Sequence, residues 1–156
     1  MDAGYQALID SPLGPLLLKA NEDALTDICF DGELVGEEHL NQILRKTILQ
    51  LNEYFDGNRK RFDIALEPDG TEFQKNVWEH LQTIPFGKRI SYTQLSRQMD
   101  NVLAIRAIAS ANGKNPIPII IPCHRVVGSK GELVGFSGGL WRKQFLLELE
   151  SPTLFS

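Results

Sequence analysis

The run Asn115-Pro116-Ile117-Pro118-Ile119-Ile120-Ile121-Pro122 limits the possible folds more than any other stretch of the chain. Three prolines exclude a helix, because each ring removes a backbone donor and fixes φ. The isoleucines between them favour a buried path. The segment is therefore expected to be extended, strand-like and rigid. It leads into Cys123-His124-Arg125, so a thiol and an imidazole stand at the end of a stiff support.

A cysteine there can be a small buried hydrophobe beside a structural histidine. It can also be a nucleophile. The thiolate is the reactive form, and His124 and Arg125 supply positive potential expected to lower the thiol pKa. A base is still required. On an extended backbone neighbouring side chains face opposite ways, so His124 would act through a water or a local turn would be needed. The imidazole also needs an acceptor on its second nitrogen. Glu150, at the end of the last helical pattern, is a candidate.

The rest of the chain sets the frame. Forty-two per cent of its 156 residues are hydrophobic, 23% charged and 8% aromatic, which excludes disordered, collagen-like and coiled-coil chains. No apolar run is long enough to span a bilayer, and the N-terminus lacks the pattern of a signal peptide. Two cysteines cannot form a disulfide framework or a four-ligand zinc site. A cytoplasmic monomer with reduced thiols and without metal or membrane attachment is expected. Residues 1–70 hold 6 Lys/Arg and 14 Asp/Glu, a net of −8; residues 71–156 hold 10 and 6, a net of +4. The basic half suits a polyanion.

Pattern divides the chain at the same point, near Glu67-Pro68-Asp69-Gly70. Before it, short strands are expected over Tyr5–Asp10, Pro15–Ala20 and Leu25–Phe30, then a helix over residues 39–55 and a further strand over Arg61–Leu66. After it, Thr71/Gln74 and Ser91/Gln94 form capping-box patterns that open two helices. Asp100-Asn101 breaks the second, and Leu103–Asn112 forms a third. A short helix, a tight break and a helix rich in small residues resemble a helix-turn-helix. Val126–Val134 is expected to form a hairpin. Leu140–Glu150 is expected to be an amphipathic helix with Phe145, Leu146 and Leu149 inward. Trp78 and Trp141 read as packing residues, Cys29 as inert core, and His39 and His80 as helical residues without a role.

The run from Asn115 to Val127 resembles the active-site signature of the O6-alkylguanine-DNA alkyltransferases, the methylated-DNA–protein-cysteine methyltransferases. Phe73-Gln74, Val77-Trp78, Ile84-Pro85-Phe86-Gly87, Ser91-Tyr92, Arg106-Ala107, Ala111-Asn112-Gly113 and Ser137-Gly138-Gly139-Leu140 fit that family's pattern in order. The Ser11–Pro15 turn and the Leu25–Gly32 strand fit its more variable N-terminal part.

The resemblance implies an α/β (α+β) chain. Its ribonuclease-H-like N-terminal domain would cover residues 1–70, and a winged helix-turn-helix domain residues 71–156. It implies direct-reversal repair in which Cys123 accepts an alkyl group from O6-alkylguanine, or from O4-alkylthymine, in double-stranded DNA, once per molecule and with no cofactor. His124 would deprotonate Cys123 through a water, and Glu150 would hold His124. Asn115 would shape the turn. Tyr92 would donate to a guanine ring nitrogen. Backbone groups of Cys123 and Val126 would read the exocyclic amine, and the Ser137 amide would face O6. Arg106 would fill the gap left by the flipped nucleotide, from a helix in the minor groove. Phe136 stands where the family often has Tyr, so one hydroxyl is missing. A lesion sensor of the same fold would lack the cysteine; a redox protein would be expected to carry a Cys-x-x-Cys, and a thiol hydrolase usually draws its partners from distant segments.

Overall fold

Alternating apolar residues and turn chemistry make the first element a three-stranded antiparallel meander. In the computed structural model, which describes residues 4–151, β1 (Tyr5–Ile9) pairs with β2 (Leu16–Ala20), and β2 pairs with β3 (Leu25–Phe30). The side chain of Ser11 bridges the β1–β2 turn, accepting from Leu13 N and donating to Gly14 O. Helix α1 (Gln42–Phe55) follows and buries Leu44, Leu51 and Tyr54. It starts later than the apolar pattern suggests. Asn41 caps it by accepting from Leu44 N, and His39 stays outside, bridged to Gln6 of β1. Arg61–Leu66 is not a strand; it meets the sheet through a single parallel bridge, Leu25 to Leu66.

The chain separates into two compact units, Met1–Asp69 and Gly70–Ser156. In the second, both capping boxes form. Thr71 accepts from Gln74 N at the start of α2 (Glu72–Leu81), and Ser91 accepts from Gln94 N at the start of α3 (Tyr92–Gln98). Such caps satisfy helix N-terminal donors that the helix itself cannot. Asp100 takes a left-handed turn at φ 54°, a 3₁₀ turn runs over Val102–Ala104, and α4 covers Ile105–Gly113. The Trp78 indole on α2 donates to Ala111 O on α4, 2.8 Å, fixing that helix pair.

The proline–isoleucine run is not extended. It folds into consecutive turns. Ile121 N donates to Ile117 O, and Cys123 N to Ile121 O across Pro122, whose φ −81° and ψ 63° make an inverse γ-turn. Ile119 is buried at φ 77°, a rare conformation for a β-branched residue. Prolines forbid a helix without requiring a strand, and here Asn115 supplies the turns' missing partners.

The expected Val126–Val134 hairpin is also absent. β5 (Val126–Val127) pairs in parallel with β4 (Ile90–Ser91), and Gly128–Glu132 closes a tight turn instead. Helix α5 (Leu140–Glu150) starts after Gly139, whose φ of 92° only glycine adopts without strain. Its buried side is Arg142, Lys143, Leu146, Leu147 and Glu150; Phe145 and Leu149 are only half-buried. Three of the five inward residues are ionisable, so an apolar pattern could not identify that face. Among the described residues, no helix is long and apolar enough to cross a membrane.

Candidate active site

A 3₁₀ turn, Cys123–Arg125, carries the thiol and the imidazole, yet His124 Nδ1 makes no hydrogen bond to the thiol. Cys123 is 4% exposed and His124 is fully buried. Glu150, at the end of α5, accepts from His124 Nε2 at 2.7 Å through Oε2. Arg125 grips the same carboxylate twice, Nε to Oε1 at 2.7 Å and Nη2 to Oε2 at 2.9 Å, while its Nη1 donates to Ile84 O. Such bidentate, charge-assisted contacts are the strong class of hydrogen bond.

These contacts fix protonation. Burial alone would push the Glu150 carboxyl up, but His124 and Arg125 outweigh it and hold it at about 2. It is therefore a carboxylate and can only accept, so His124 Nε2 carries the proton. Burial also lowers the His124 pKa, more than Glu150 raises it, so the ring is neutral. Nδ1 then keeps its lone pair, and it is a buried atom without a hydrogen-bond partner. The geometry supplies an oriented neutral base.

The thiol does not have the lowered pKa expected from its cationic neighbours. Burial pushes Cys123 up to about 11, against the pull of Asn115 and Lys143. Arg125 is neutralised by Glu150, and His124 is uncharged. At neutral pH the resting thiol is therefore protonated.

Asn115 organises the segment before the cysteine. Its Nδ2 donates to Ile121 O, 2.8 Å, and its Oδ1 accepts from Ile117 N, 2.9 Å. Tyr92, the first residue of α3, is half-buried. Its hydroxyl accepts from Asn112 Nδ2 at 3.3 Å and lies 3.5 Å from Val134 O. Val126 is buried in β5 and its N–H donates to Cys123 O. A cavity of about 660 Å³ is lined by Tyr92, Ile105, Arg106, Ala109, Gly113 and residues 134–137. Exposed Arg106 and Ser137 both belong to that lining, on α4 and on the loop before α5. The structure thus joins Cys123, His124 and Glu150 in one buried cluster with Asn115. It gathers Tyr92, Arg106 and Ser137 at the cavity, with Phe136 as part of the wall.

The sequence assigns Arg125 only a positive potential, and Asn112 and Lys143 no role. Arg125 fixes Glu150. Asn112 touches both Tyr92 and Cys123. Lys143 is fully buried, donates to Val134 O at 2.8 Å and sits 6.0 Å from the Tyr92 ring; burial pushes its pKa down to about 8. Lys143 was findable: it lies seven residues before Glu150, two turns along the same helix face. Cys29 is half-buried on β3, with its thiol pushed up by burial and by Asp27.

Two family models match the chain: the 6-O-methylguanine DNA methyltransferase ribonuclease-like domain over residues 5–68, and the DNA-binding domain of the same family over residues 72–152. A Methanosarcina acetivorans methylated-DNA–protein-cysteine methyltransferase is 42% identical over 94% of this chain and 97% of its own. That of Mycobacterium leprae is 44% identical over 91% and 89%. The crystal structure of Mycobacterium tuberculosis O6-methylguanine methyltransferase superposes with a TM-score of 0.85 at 41% identity, covering 94% of this chain and 92% of that one. The same organism's OGT in complex with DNA gives 0.86 at 42%, with the same coverage.

Proposed function

This chain belongs to the 6-O-methylguanine DNA methyltransferase family, and we propose that it repairs O6-alkylguanine in duplex DNA by moving the alkyl group irreversibly onto Sγ of Cys123. It is a methylated-DNA–protein-cysteine methyltransferase, a DNA-binding transferase of direct-reversal repair. The observation that carries the residue assignment is the 2.7 Å contact between His124 Nε2 and Glu150 Oε2, which leaves Nδ1 as a buried base beside the only cysteine of the second unit.

An alkyl carbon on O6 inside a stacked duplex is closed to in-line attack, so the nucleotide must leave the stack, at roughly a few kcal/mol. Arg106, exposed on α4 at the cavity, fills the gap. The base enters the cavity, with Tyr92 at a ring nitrogen, the Val126 backbone at the exocyclic amine and the Ser137 amide at O6. His124 takes the thiol proton through a bridging water, and Glu150 stabilises the resulting imidazolium. The Sγ lone pair forms the S–C bond, the C–O6 bond breaks, and its electrons pass into the purine, which recovers one proton and leaves as guanine. The sum is thiol plus alkylguanine giving thioether plus guanine. No oxidant, reductant or cofactor enters the balance, and every participating side chain comes from one unit of one chain. Reversal would have to expel a thiolate from an unactivated thioether, so each molecule acts once.

The test is the intact mass of the protein after exposure to excess duplex carrying one O6-methylguanine, followed by peptide mapping. The expected result is a gain of one methylene on the Cys123 peptide that stops at one per molecule. Tight lesion binding without a mass change would make the chain a sensor and remove the roles of His124 and Glu150.

A further inference from the structure

Asn112 is buried on α4 and has no part in the steps above. Its Nδ2 reaches Tyr92 Oη at 3.3 Å and Cys123 O at 3.4 Å. Its Oδ1 is buried without a hydrogen-bond partner. Rotating the amide by half a turn would face Oδ1 against Cys123 O, acceptor against acceptor. The main chain of the nucleophile therefore sets which way the amide points.

That orientation determines the Tyr92 proton. A phenol has one proton and accepts through its lone pairs. With an Asn112 N–H already directed at Oη, the Tyr92 proton must point elsewhere. The other neighbour is Val134 O, 3.5 Å away, and both residues line the cavity. A bond that long is weak and yields readily to a better acceptor.

Resting on the alkyl-transfer reading above, we infer that Asn112 is a positioning residue: it holds the Tyr92 hydroxyl as a donor aimed into the cavity, at the guanine ring nitrogen. As the C–O6 bond breaks, that nitrogen gains negative charge and draws on the Tyr92 proton. Negative charge then grows on Oη, where the Asn112 N–H meets it, so the two hydrogen bonds strengthen together. Burial raises the Tyr92 pKa and the neighbouring thiol adds to this, while Asn112 opposes both. Substrate binding before reaction draws little on this pair, so the effect belongs to the rate constant.

The test is a double-mutant cycle with Tyr92→Phe, read as the single-turnover rate of Cys123 alkylation by free O6-benzylguanine, followed by intact mass. Using the free base removes DNA affinity from the result. Asn112→Ala is expected to slow the saturated rate about tenfold when Tyr92 is present, the factor of one ordinary hydrogen bond. The same change should cost less than about twofold in the Tyr92→Phe background, where that bond no longer exists, with half-saturation unchanged in both. Asn112→Leu, which keeps the branched shape without the amide, should behave the same way and covers an unstable alanine variant. Equal losses in both backgrounds, or a loss that appears in half-saturation alone, would overturn the inference and leave Asn112 a packing residue. Failure of the unmodified protein to alkylate Cys123 would instead overturn the proposed function.

Discussion

His124 and Glu150 are twenty-six residues apart and meet through one 2.7 Å hydrogen bond, both side chains almost wholly out of water. Glu150→Gln keeps the shape and removes the charge. His124 then loses the group that steadies its protonated form, so the transfer rate should fall by about a hundredfold, the scale of a general-base contribution. The change also has a signature in acid. The folded-state carboxyl at about 2 lies below its ordinary 4.5, so its stabilisation is full above pH 4.5 and is lost as the pH falls towards 2. At about 1.4 kcal/mol per pKa unit, that window carries on the order of 3 kcal/mol. Urea unfolding at pH 7, 4.5, 3 and 2 should show the loss in the unmodified protein and a flatter profile in Glu150→Gln. Parallel profiles would contradict the coupling.

The buried thiol predicts restraint towards simple reagents. With its pKa pushed up to about 11, Cys123 should react with iodoacetamide at a rate that climbs about tenfold per pH unit from 7 to 10, with no plateau. Peptide mapping in a Cys29→Ser background isolates the signal. A plateau near neutral pH would mean a stable thiolate, and the need for His124 as a base would disappear.

The parts of the fold legible in the sequence were those written in local chemistry. The capping boxes at Thr71 and Ser91 are self-contained in four residues each, and both form. The β1–β3 meander follows from alternation and turn residues, within a residue at each end. Legibility failed for several reasons. Asn115 holds Ile117 N and Ile121 O, only two and six residues ahead, but those contacts exist only once the run has turned, and prolines and isoleucines by themselves read as extended. Nothing near Val126 says that Ile90 will take it as a parallel neighbour. Helix α5 misled for a different reason: its inward face carries Arg142, Lys143 and Glu150, and burial of charge is visible only once the partners are in place.

Asn115→Ala should expose how the turns before Cys123 are held. It removes the acceptor for Ile117 N and the donor to Ile121 O, both buried. Ile117 N is then left unpaired and Ile121 O keeps only the Cys123 N–H, which should cost about 2 kcal/mol in urea unfolding at pH 7. Ile119, held at φ 77°, loses its reason to stay there, so the cysteine should also move and the transfer rate fall with the stability. A loss below about 1 kcal/mol with an unchanged rate would mean that the prolines alone set the path.

Arg106 separates the cost of flipping from the cost of chemistry. It lines the cavity from an exposed position on α4 and is not part of the buried His124–Glu150 hydrogen bond. Arg106→Ala should slow methyl transfer from duplex O6-methylguanine by about tenfold or more, on the scale of the unstacking cost that a cation in the vacated space would offset. The same variant should react with the free base within about twofold of the unmodified protein, because no stack has to open. A single-stranded oligonucleotide should fall between, since stacking is only partial there. Salt sharpens the comparison: a phosphate-binding role would lose its effect as ionic strength rises, whereas a space-filling role within the duplex would persist. Equal losses on duplex and free base would place Arg106 in the chemistry of the cavity and remove it from flipping.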